Sequence, residues 1–115
     1  MRLSLVVGQA MTVALPKQGI NIGRINYQDN GNWSVFKPEG PYLHLHLYGR
    51  ARNAQQQKFG QALYLPHREE QPKFYESLQP LNQKDCQAIT QEILTLMSQE
   101  KFSNKNWGLN KQDNN

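Results

Sequence analysis

The chain has 115 residues and a net charge of +4, with 37% hydrophobic and 19% charged residues. That length predicts one domain with a modest core, because a chain of this size buries only about two thirds of the surface it exposes unfolded. Mild basicity suits an anionic partner, a nucleotide phosphate or a nucleic acid, without choosing between them. A single cysteine, Cys86, excludes an intrachain disulfide and a thiolate zinc cluster and fits a reducing, cytoplasmic setting.

The first segment, Leu3 to Leu15, reads as a helix stopped by Pro16. Arg2 followed by an apolar run imitates a secretory leader. Against that, Ser4, Gly8 and Thr12 recur every four residues as a small or polar stripe, so a core helix is the expectation. The run is also too short to span a membrane, and no membrane partner is expected. Gly19 to Tyr27 comes next as a β-branched strand, with Gly23 marking a bulge or a close backbone approach. Asn32 to Phe36 is a candidate short strand, Leu43 to Tyr48 a clear one, and Gln61 to Leu65 another, ended by Pro66.

Pro66 to Pro80 holds three prolines and reads as a surface loop. Asn82 then offers an N-cap with Asp85 in capping-box position, and Cys86, Ile89, Ile93 and Leu96 continue at helical spacing. A helix from Gln83 to about Lys101 is expected, with Cys86 packed on its apolar face. The predicted class is α+β, an antiparallel sheet with flanking helices, confined to residues 1–102. Residues 103–115 read as a polar, frayed tail from which Trp107 folds back. Trp33 and Trp107 are candidates to stack on a base, against the commoner fate of packing. Arg50, Arg52 and Lys58, with Gln55 to Gln57 and Phe59, line either a polyphosphate groove or a solvated loop.

The chemistry concentrates in GPYLHLHLYGR, Gly40 to Arg50. In a strand, alternate side chains share a face, so Leu43, Leu45 and Leu47 are expected to enter the core. Tyr42, His44, His46 and Tyr48 then share the opposite face, with Arg50 just beyond the strand as a phosphate clamp. Same-face neighbours lie about 6.6 Å apart, close enough for one small anion to touch both imidazoles. A metal is a competing reading, since two histidines at this spacing are common ligands. It needs a third ligand, for which His67, Asp29, Glu39, Glu69 and Glu70 stand at no recognisable offset. Nucleophilic attack on phosphorus is the third reading, beside the metal and beside a plain pair of half-buried sheet histidines with no chemistry, because an imidazole near pH 7 keeps one ring nitrogen with a free lone pair.

Tyr42 to Arg50 resembles the motif of the histidine triad family of nucleotide hydrolases and transferases, three histidines alternating with apolar residues, then Gly or Pro and an Arg. Tyr42 stands where the family has its first histidine, which supports the second by hydrogen bonding. The resemblance places the nucleophile at His44 and a phosphate contact at His46. Arg24-Ile25-Asn26 is similar to the family's preceding strand, whose asparagine helps to hold the nucleotide. The resemblance implies a hydrolase or nucleotidyl transferase for dinucleoside polyphosphates or nucleoside phosphoramidates, working through a phosphohistidine. His44 and His46 would be catalytic, and Tyr42, Asn26, Tyr48 and Arg50 would bind substrate. No metal cofactor is implied beyond Mg²⁺ carried by the substrate, and a homodimer is implied by the resemblance, with Gln83 to Lys101 as one candidate surface. The family has further strands and a helix before Gly19, where this chain has one helix, so a shortened member or a start upstream of Met1 is expected. The competing class is a catalytically weak nucleotide- or nucleic-acid-binding module on the same fold, nucleic acid being the less expected partner.

Overall fold

The computed structural model describes residues 1–30 and 34–109. Its elements run in the order α1 (Arg2–Lys17), β1 (Ile22–Asp29), β2 (Leu45–Ala51), α2 (Pro72–Glu76) and α3 (Gln83–Met97), with a 3₁₀ turn after them at Glu100–Phe102. The class is α+β, and among the described residues the sheet is an antiparallel pair.

The helix α1 organises the molecule. Val6 and Ala10 meet Leu96 and Phe102 on one side, with Ile89, Ile93 and Trp107 packed around them. Met11 and Leu15 meet Ile22 on the other, with Ile25, Leu47 and Ala51 at the edge. The expected order of layers is therefore changed. The sheet does not lie between the first and last helices; α1 lies between the sheet and α3. The apolar positions of α1 recur at helical spacing around more than one side, so a single helix serves two apolar clusters. It runs two residues past its expected end at Leu15, to Lys17, with Pro16 in the last turn. Gly19, at φ 85°, then closes a Schellman turn. The Gly19 amide donates to the Pro16 carbonyl, and the Ile20 amide to the Leu15 carbonyl at 3.0 Å.

The capping box of α3 is as expected. The Asp85 amide donates to the Asn82 side chain and the Asn82 amide to the Asp85 carboxylate, both at 2.9 Å. Asp85 is thereby buried, whereas Cys86 is exposed and not packed as expected. Asp85, Ile89, Ile93 and Leu96 line the inner side of the helix, and Cys86 lies one residue, about 100°, away from Asp85 around it. The helix ends at Met97, before the expected Lys101, and the 3₁₀ turn takes Phe102 into the core.

Two expected strands are not formed among the described residues. Of Asn32 to Phe36, residues 32–33, Trp33 included, lie outside the described residues, and Ser34 to Phe36 sits in a turn. Gln61 to Leu65 is irregular, because its backbone finds a side chain in place of a strand. The Gln57 amide group donates to the Tyr64 carbonyl and accepts from the Tyr64 amide. Within Pro66 to Pro80 the short α2 forms, Tyr75 tying back to the Pro66 carbonyl. Residues 103–109 are folded turns and not frayed. Trp107 stacks on Phe102 at 6.4 Å between ring centroids, and its indole donates to the Lys101 carbonyl at 2.8 Å. Trp107 is thus packed at the edge of the core, the commoner fate of the residue. Residues 110–115 lie outside the described residues.

Candidate active site

The face that β1 offers to a ligand is set by Gly23. Register shifts between Ile22 and Arg24, so that Ile22 pairs with Ala51 and Arg24 with Arg50. Strict alternation from Ile22 would have turned Arg24 and Asn26 toward α1. The bulge resets the phase, sending Ile25 to the core side and Arg24, Asn26 and Gln28 to the open side. Gly23 is also a close approach, as a Cβ there would lie 2.7 Å from the Phe59 ring. Both sequence readings of this glycine hold together.

On β2 the matching open positions are His46, opposite Gln28, Tyr48, opposite Asn26, and Arg50, opposite Arg24. The strand begins at Leu45, two residues later than expected, and runs through Arg50 to Ala51. His44 therefore precedes it, and Arg50 belongs to it. Of the three leucines expected inside, only Leu47 packs against the core; Leu43 is 91% exposed and Leu45 44%. The cause is the reach of α1, whose side chains cover the strand at Leu47, Gly49 and Ala51.

The three rings still form a row. His44 meets His46 edge-on at 4.6 Å between centroids, and His46 stacks on Tyr48 at 5.6 Å with planes 4° apart. The Tyr48 hydroxyl accepts from the Asn30 amide group at 2.8 Å. His44 Nδ1 lies 2.7 Å from the Tyr42 carbonyl oxygen. A carbonyl can only accept, so Nδ1 carries a proton, and in the neutral imidazole Nε2 is the nitrogen that keeps its lone pair. Tyr42 is 71% exposed and touches His44 through its backbone, not through the phenol that the resemblance put in the histidine's place. His46 Nε2 and, on the opposed residue, Gln28 Oε1 are buried without a hydrogen-bond partner among the described residues. No group of three His, Cys, Asp or Glu side chains able to hold a metal comes together among those residues.

Beside the rings lies an open cavity of about 570 Å³, lined by Arg24, Asn26 and Gln28 from β1, Arg50 from β2, and Phe59 and Gln61 from the loop after it. Asn26 is thus placed on the same face as the histidines, but across the sheet from Tyr48. Arg50 is buried, its Nη2 donating to the Lys58 and Gln61 carbonyls at 3.1 and 2.8 Å. Arg52 instead folds to the Ile22 carbonyl and over Phe59. Two residues of this face, Arg24 and Gln28, were not singled out from the sequence as site residues; the bulge at Gly23, traced through to its change of phase, is the signal that finds them.

Comparison of the chain with family models, with curated proteins and with solved structures finds no match. No described helix is long and apolar enough to cross a membrane.

Proposed function

We propose that the chain is a nucleotide hydrolase or nucleotidyl transferase of histidine-triad type, acting on dinucleoside polyphosphates or nucleoside phosphoramidates. One observation carries the reading: His44 is held through Nδ1 by the Tyr42 carbonyl and leaves Nε2 free, 4.6 Å ring to ring from His46. Nε2 attacks the α-phosphorus, and the bond from phosphorus to the leaving oxygen or nitrogen breaks. The leaving atom takes a proton from the His46 imidazole, which acts as the general acid. Water then attacks the phosphohistidine, returns a proton to His46, and releases the nucleoside monophosphate with His44 neutral again. Asn26 and Tyr48 border the path of the nucleotide, and any Mg²⁺ arrives on the polyphosphate. The homodimer carried by the resemblance would use α3, where Leu94 is 61% and Met97 38% exposed; sedimentation equilibrium giving a monomer at all concentrations would remove it.

The test is AMP release from diadenosine tetraphosphate and from adenosine phosphoramidate. Turnover in the native protein that is lost in His44→Ala, with the far-UV spectrum unchanged, supports the reading. Absence of turnover with both substrates, or equal turnover in the variant, overturns it.

A further inference from the structure

Arg50 is a cation only 5% exposed, and no carboxylate among the described residues pairs with it. Burying an unpaired charge is costly, and two carbonyl oxygens compensate only part of the lost hydration. The environment adds to the cost. Arg24 stands directly opposite on β1 with the same charge, a cross-strand arrangement that destabilises a sheet. Arg50 Nε is buried without a hydrogen-bond partner among the described residues. Both arginines line one cavity, and the loop closing it is built to hold Arg50 there. Gly60 adopts φ 86°, and the Gln61 amide donates to the Lys58 carbonyl, so that the turn aims the Lys58 and Gln61 carbonyls at one guanidinium.

We propose that the cavity between β1 and the 58–62 loop is a phosphate-binding subsite, with Arg24 and Arg50 as its charged ligands. It is distinct from the position of the histidines. Arg50 lies four residues beyond His46, about 13 Å along the backbone of the strand, and neither histidine lines the cavity. A ligand with anionic groups that far apart would occupy both ends of the open face. The subsite itself does not depend on the phosphohistidine chemistry.

Isothermal titration with inorganic pyrophosphate and, separately, with AMP tests it. Pyrophosphate or AMP should bind the native protein, and Arg24→Gln, whose side chain is exposed, should weaken that binding by about five- to tenfold. Arg50→Lys should weaken it as well while keeping a cation near the two carbonyls. Lys84→Gln, an equal loss of charge on α3, should leave it unchanged. Tighter binding of AMP identifies a nucleotide's phosphate as the source, and tighter binding of pyrophosphate a polyphosphate chain; both uphold the subsite. In His44→Ala the pyrophosphate affinity should persist even where turnover is gone, which separates the subsite from the hydrolase reading. Native protein that binds neither probe, an Arg24→Gln variant that binds as well as the native chain, or binding lost in a folded His44→Ala overturns the proposal.

Discussion

Tyr42 occupies the place of a histidine in the pattern it resembles, yet what it supplies to His44 is a carbonyl oxygen, an atom that every residue has. The phenol is then dispensable for the tautomer of His44. Tyr42→Phe should keep AMP release within about twofold of the native rate, since a change below about 0.4 kcal/mol in the barrier is a factor of two. A drop of tenfold or more in kcat would assign the phenol a direct part. Tyr48 is the opposite case. Its hydroxyl is the acceptor for Asn30, and its ring backs His46. Tyr48→Phe keeps the ring and removes the acceptor, so it should lower stability by about 1 kcal/mol, the usual net worth of one hydrogen bond, as read from urea unfolding.

Elements are held in this chain by side chains standing in for backbone. The box of Asn82 and Asp85 satisfies amides at the start of α3 that have no partner within the helix. Asn82→Ala should cost about 1 kcal/mol, seen as a lower urea midpoint with an unchanged slope. Gln57 does for Tyr64 what a neighbouring strand would do. Gln57→Ala should speed amide exchange at Tyr64 and loosen the 58–62 loop, whereas exchange at Tyr64 as slow as in the native chain would show that the loop is fixed by other contacts. The same devices explain what could be read in the sequence. The two long helices, α1 and α3, show themselves because period, capping box and the proline near the end of α1 are local, whereas the short α2 lies in a stretch that reads as a loop. QALYL has the composition of a strand, and only the three-dimensional position of Gln57 denies it one. In the histidine stretch the alternation of faces is legible, but how far α1 reaches along the strand is not. Leu43 and Leu45 therefore read as core and are exposed. Arg50 reads as a residue beyond the strand and is a buried member of it, because the strand's end is set by pairing to Ile22 across the bulge.

At the scale of the whole molecule, the radius of gyration is 17.2 Å, where a compact chain of about 100 residues has one near 13 Å. The core is correspondingly split into two clusters, one toward α3 and one toward the sheet, and α1 is the element whose buried residues enter both. Val6 and Leu15, both fully buried and nine residues apart on that helix, belong to different clusters. A helix that loses its seat on the sheet also loses the register with which it meets α3, so the clusters should unfold together. Leu15→Ala removes a buried side chain on the sheet side and should cost about 2–5 kcal/mol, much of the stability such a domain has. Trp107 reports on the other cluster, where it packs against Phe102. In a Trp33→Phe background, the urea midpoint read from Trp107 fluorescence should fall in Leu15→Ala by as much as the midpoint read from circular dichroism. If the Trp107 transition stays in place while the dichroism shifts, the clusters are independent, and the open sheet face with its histidines would melt away from a surviving pair of helices.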